Sequence, residues 1–135
     1  MISLYKIVET MGKRILVVDD DTIMRETLRD ILLFEGFSVS SADGGSQAIS
    51  QLSDESFDLV ITDILMPQRD GLEVITEAKK MYPKMQIIAI SGGGYISSDT
   101  YLRMATDAGA DDIISKPFDV DDFLGKVYRI LGLSH

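Results

Sequence analysis

Two hydrophobic rhythms alternate along the chain from residue 14 onward. Short apolar runs at 14–18 (RILVV), 58–62 (DLVIT), 86–90 (QIIAI) and 111–115 (DDIIS) read as strands, with a weaker one at 38–42 (SVSSA). Between them, apolar residues recur at helical spacing. Met24, Leu28, Ile31 and Leu32 mark a first helix, stopped by Gly36. Ala48, Ile49 and Leu52 mark a second, and Leu72, Val74, Ile75 and Ala78 a third that closes near Tyr82–Pro83. A fourth opens on a Ser- and Asp-bearing cap at Ser97–Asp99, runs through Leu102 and Ala105, and ends at Gly109. The fifth begins at Asp119 and buries Phe123, Val127 and Ile130; Asp121 and Asp122 lie in its first turn, where acids favour the helix dipole. Five β-then-α units predict an α/β fold, a doubly wound five-stranded parallel sheet with five helices covering its two faces. Such sheets place their sites at the carboxyl ends of the strands, beside the point where strand order reverses.

Composition narrows the chemistry. The 135 residues suit one domain with a real core. There is no cysteine, which excludes disulfides and thiolate metal sites and points to a reducing, cytoplasmic home. The one histidine, His135, is the last residue, so a histidine-ligated zinc site is not expected. A net charge of -9 argues against a nucleic-acid surface, because that affinity comes from Lys and Arg on phosphates. No apolar run approaches the roughly 20 residues of a membrane span. Residues 1–12 read as an N-terminal extension whose status the sequence leaves open, Met11 being itself a plausible start. The domain is expected over 13–132, with 133–135 as a C-terminal end.

The strand ends carry the polar groups. Asp19, Asp20 and Asp21 follow the first strand, Asp63 the third (VITDILMP), Ser91 the fourth (IAISGGG) and Lys116 the fifth (IISKPF). Any one of these alone reads as a turn former, a cap or a solvated charge. Together they gather on one sheet edge. Two carboxylates about 4 Å apart repel by roughly 4 kcal/mol at an effective dielectric of about 20, so the cluster needs a use. Carboxylates without histidine or cysteine are hard oxygen ligands suited to Mg²⁺ or Mn²⁺. An ammonium, a hydroxyl and the N–H groups of a Gly-rich turn can meet phosphoryl oxygens. The set reads as a phosphoryl-transfer site in which one carboxylate can become an aspartyl phosphate.

In this order and spacing, the acidic pair, ITDILMPQRDG, SG and KPF resemble the receiver domain of two-component response regulators, of the single-domain chemotaxis type. The resemblance covers residues 13 to about 132 and implies the flavodoxin-like receiver fold. It implies that Asp63 is the phosphoacceptor, taking a phosphoryl group from a sensor histidine kinase or histidine phosphotransfer protein, with no turnover of an external substrate. Asp20 then ligates Mg²⁺ (or Mn²⁺) directly and Asp19 directly or through water, together with Asp63 and the backbone carbonyl of Leu65. Ile64, Gly92, Ser91 and Lys116 hold the phosphoryl group. Lys116 pairs first with Asp63, Ser91 swings toward the phosphoryl oxygen as the switch, and the Lys116–Pro117 bond is cis. Asp21 matches no role in the family and reads as the first helix's cap or a solvated neighbour. The implied output is a surface near the fourth and fifth of the predicted helices, read by a downstream protein, with a phosphorylation-dependent homodimer left open. Neither nucleic acid nor membrane is an expected direct partner, and no output domain is read in these residues.

The chain departs from that pattern in places. Ile113 stands three positions before the lysine, where the family often carries an aromatic switch residue, and isoleucine cannot rotate between buried and exposed states as tyrosine does. Tyr95, Tyr101 and Phe118 are the candidate substitutes. SGGGYISS after the fourth strand is an unusually glycine-rich connection. Leu65 and Gly93, at positions that influence attack by water in the family, cannot orient a water through a polar side chain, so slow self-dephosphorylation is expected.

Two rival readings compete. VVDDDTI also resembles the opening motif of haloacid-dehalogenase-like Mg²⁺-dependent phosphatases, with Asp19 as nucleophile and Asp21 as acid/base. Against it, Asp111 and Asp112 precede the lysine, ITDILMP has no purpose, and the chain is short for that fold. A phosphorylation-independent binding module, or an FMN binder, is the other; no Ser/Thr-rich phosphate loop follows the first strand.

Overall fold

The computed structural model describes residues 4–66, 71–92 and 98–134. Five parallel strands, β1 (Arg14–Val18), β2 (Ser38–Ala42), β3 (Leu59–Asp63), β4 (Gln86–Ser91) and β5 (Asp112–Ser115), pair in the order β2-β1-β3-β4-β5. The order reverses between β1 and β3, the switch point of a flavodoxin-like sheet. The predicted parallel sheet is therefore the observed one, and β1 and β3 deliver their last residues to the switch point.

Alternation along the strands builds two cores. Leu16, Val18, Val60, Ile87 and Ala89 point to one face, covered by α3 (Gly45–Asp54), α4 (Gly71–Met81) and α5 (Ser98–Ala108). Ile15, Val17, Leu59, Ile61, Ile88 and Ile90 point to the other, covered by α2 (Thr22–Phe34) and α6 (Val120–Ile130). Because both faces are buried, the central strands carry apolar residues at nearly every position. α6 differs slightly from expectation: Phe123, Val127 and also Tyr128 are fully buried, whereas Ile130 is half-buried.

The count of five helices is corrected to six among the described residues. Leu4–Thr10 forms a further helix, α1, within the segment read as an extension. Seven residues are too few to hold a helix alone in water, so its stability comes from docking. Thr10 is fully buried, and its hydroxyl donates to the backbone carbonyl of Glu35 at 2.8 Å. Gly36, at φ +101°, lies directly beneath: a side chain there would collide with the Thr10 hydroxyl. The Ser97 cap, Gly93, Tyr95 and His135 lie outside the described residues. Among the described residues, no helix is long and apolar enough to cross a membrane.

Candidate metal and phosphoryl site

β1 stops being apolar at Asp19, whose amide still donates to the Ala42 carbonyl at 3.2 Å. Asp19 is therefore held as an extension of the strand, 1% exposed, while Asp20 turns outward into solvent. Asp21 is the N-cap of α2: its Oδ1 accepts from the amides of Ile23 at 3.0 Å and Met24 at 3.3 Å. Of the two roles left open for it, the cap is the one it fills. Asp63 is the last residue of β3 and is 7% exposed. Carboxylate oxygens of Asp19, Asp20 and Asp63 lie within 4.8 Å of one another.

The Lys116 ammonium sits over this group, 3.6 Å from Asp63 Oδ2 and 3.9 Å from Asp19 Oδ2. One Lys cannot balance three carboxylates. Asp19 Oδ2 is buried with no hydrogen-bond partner among the described residues, an expensive condition for an anionic oxygen. Burial pushes the Asp19 carboxyl up to about 6, with Asp63 and Asp20 adding to the rise and the Asp21 amide and Lys116 opposing it. Asp63 is raised as well, chiefly by desolvation, against the pull of Lys116 and the Leu65 amide. Both shifts are led by desolvation, a deficit of hydration at two buried carboxylates that share a single nearby ammonium. A divalent ion with oxygen preference fits that deficit, and the orphaned Asp19 oxygen is a ready ligand.

Ser91, Gly92 and the Lys116–Pro117 step meet at the same edge. Ser91 ends β4 and is 3% exposed; its carbonyl accepts from the Lys116 amide at 2.8 Å. A side chain built on Gly92 would reach 3.6 Å from Lys116 Cδ, so glycine leaves room beside the lysine stem. The Lys116–Pro117 peptide is cis. Ile113 is half-buried against the α3–α5 core, and Phe118 stacks on Phe123 at 5.7 Å between ring centroids. The main-chain donors are less simply arranged. The Ile64 amide donates to the Ile90 carbonyl at 3.1 Å, whereas the Leu65 amide faces Asp63 Oδ1 at 3.3 Å.

Two residues of the site have no role in the sequence reading. Arg25 reaches back from α2 and donates to the Asp19 carbonyl at 2.8 Å, fixing the peptide between the two acids. Gly71 donates its amide to the Ile64 carbonyl at 2.8 Å and packs so closely that any side chain would strike the Asp63 carbonyl. The only sequence signal for Gly71 is its place at the end of ITDILMPQRDG. Arg25 has none, since its contact is to a main-chain atom six residues earlier.

Comparison with known proteins places this architecture. The profile of the response regulator receiver domain matches residues 15–128. Response regulator MprA of Mycolicibacterium vanbaalenii is 38% identical over 122 residues, which is 90% of this chain and 51% of the relative. The Mycobacterium bovis MprA is 37% identical over the same span, so the chain covers about half the length of these curated relatives. A CheY-like receiver domain protein from Methanospirillum hungatei superposes with a TM-score of 0.81 at 36% identity, covering 89% of this chain and 94% of its own. Thermotoga maritima TrrA, solved in complex with Mg²⁺ and BeF, gives a TM-score of 0.77 at 36% identity, covering 87% of this chain and 98% of its own. The chain belongs to the response regulator receiver domain family, the receivers of two-component systems.

Proposed function

We propose that this receiver is a phosphoacceptor whose Asp63 takes a phosphoryl group from a histidine kinase or histidine phosphotransfer protein in the cytoplasm. The observation that supports this best is the placement of Lys116 across Asp63 and Asp19, over three carboxylates within 4.8 Å. In the transfer, an Asp63 carboxylate oxygen forms a bond to phosphorus while the P–N bond of phosphohistidine breaks, and that bond's electron pair stays on the imidazole. Lys116 neutralises charge on the phosphoryl oxygens, with the Leu65 and Gly92 amides and, once it turns toward β3, the Ser91 hydroxyl as their donors. Asp19, Asp20, Asp63 and the Leu65 carbonyl would hold Mg²⁺, with Mn²⁺ as substitute; when bound, the ion supplies the positive charge that Lys116 alone cannot.

The phosphorylated form changes its surface near α5 and α6, so that a downstream protein binds or releases it, or a second copy pairs with it. No external substrate is turned over. The receiver unit is residues 13–132. The acyl phosphate is long-lived, because Leu65 is 47% exposed yet its side chain offers no polar atom to a water. Leu65→Asn supplies one, and several-fold faster decay of the label after phosphodonor removal is expected.

Intact mass after incubation with acetyl phosphate tests the core reading. One added phosphoryl group that requires Mg²⁺ and is absent from Asp63→Ala is the expected result. An adduct that persists in Asp63→Ala and disappears in Asp19→Ala would overturn it in favour of the phosphatase.

A further inference from the structure

Ser91 and Ser115 are directly opposite each other in the parallel pairing of β4 and β5, so their side chains leave the sheet on the same face. It is the face on which Ala89 and Ile113 join the core beneath α5. The two hydroxyl oxygens are 3.4 Å apart, and either can donate. Hydroxyl hydrogen bonds are most favourable near about 2.7–2.8 Å, so this one is long, weak and easily exchanged for a better acceptor. It also has a direction. β3 and β5 flank β4 on opposite sides, so a Ser91 hydroxyl turned to Ser115 is turned to the side opposite Asp63.

We propose that Ser115 is a positioning residue for the switch hydroxyl, holding Ser91 toward β5 in the resting state and taking over the coupling that Ile113 cannot provide. The role rests on the phosphoacceptor reading of Asp63. Phosphoryl oxygens are charged acceptors and make stronger hydrogen bonds than a neutral hydroxyl does, so they draw Ser91 toward β3. Ser115 then loses its partner. With Ile113, Pro117, Phe118 and Lys126 it lines a groove of about 530 Å³ between β5 and α6, so the change arrives at the surface without an aromatic rotation. Ser115 lies two positions beyond Ile113, on the same strand face. The relay thus runs beside the family's usual position, through a hydroxyl that β5 carries next to the lysine.

A double-mutant cycle on the full chain tests this, with beryllofluoride at saturating Mg²⁺ as the phosphoryl mimic and amide NMR shifts as the readout. Removing a weak resting bond favours the turned state, so Ser115→Ala is expected to bind beryllofluoride about twofold to tenfold more tightly. The same substitution in a Ser91→Ala background is expected to change nothing. Ser115→Thr keeps the hydroxyl and is expected to behave as the native chain. An equal effect of Ser115→Ala in both backgrounds, or none in either, overturns the role of Ser115 while leaving Asp63 as acceptor. Absence of beryllofluoride binding by the native chain overturns the acceptor reading and this proposal with it.

Discussion

Burial sets Asp19 apart from an ordinary strand-end aspartate. Its carboxyl titrates near about 6 in the folded chain, mainly through desolvation. In the unfolded chain it titrates near about 3.9. The folded state thus holds a proton that the unfolded chain gives up, and the stability this adds is full below the unfolded value. It is lost as pH rises through about 6. Without a divalent ion, the native chain should therefore lose ground to Asp19→Asn as pH rises from about 4 to about 6, with a constant gap above that. Urea midpoints of the two proteins in chelator measure the gap. Asp63 is raised in the same direction, so a residual slope of the same sign is expected in Asp19→Asn. A gap that narrows with rising pH would mean that Lys116 dominates the pocket instead.

Helix ends decide the next scale. Asp21 caps α2 through two amides, and losing such a cap costs about 1 kcal/mol. Asp21→Ala should lower stability by about that much and still form the acetyl phosphate adduct. A phosphatase that used Asp21 as acid/base would lose its turnover instead. At the other end of α2, Thr10→Val removes the hydroxyl that ties α1 to the Glu35 carbonyl, a loss of about 0.5–1.5 kcal/mol in chemical denaturation. These two ends show what the sequence makes legible. The α2 cap and the Gly36 stop are local, and so are the apolar runs that end abruptly at Asp19, Asp63, Ser91 and Lys116. The anchoring of α1 is not local, because Thr10 and Glu35 are 25 residues apart and seven residues show no usable period. Main-chain donors are hidden for a similar reason. Residue identity places Ile64 beside the acceptor, but only the β3–β4 register shows that its amide is already committed to Ile90.

Charge acts on the whole molecule in two ways that salt can separate. The net charge of -9 is spread over the surface and weakens the compact state through general repulsion, which any added electrolyte screens. The Asp19, Asp20 and Asp63 group is local, two of the three carboxylates being buried, so bulk screening reaches it poorly. A site-bound ion stabilises only the native state, by RT ln(1 + [L]/Kd), or about 1.4 kcal/mol at ten times Kd. The melting temperature should therefore rise with millimolar Mg²⁺ well beyond the rise given by NaCl at equal ionic strength. The excess should shrink in Asp63→Ala, which removes a ligand, while the NaCl response stays as in the native chain. If Mg²⁺ and NaCl at matched ionic strength act alike on the native chain, the cation is screening the surface and the acidic group holds no ion. Equal Mg²⁺ excess in both proteins would place the ion elsewhere on the acidic surface.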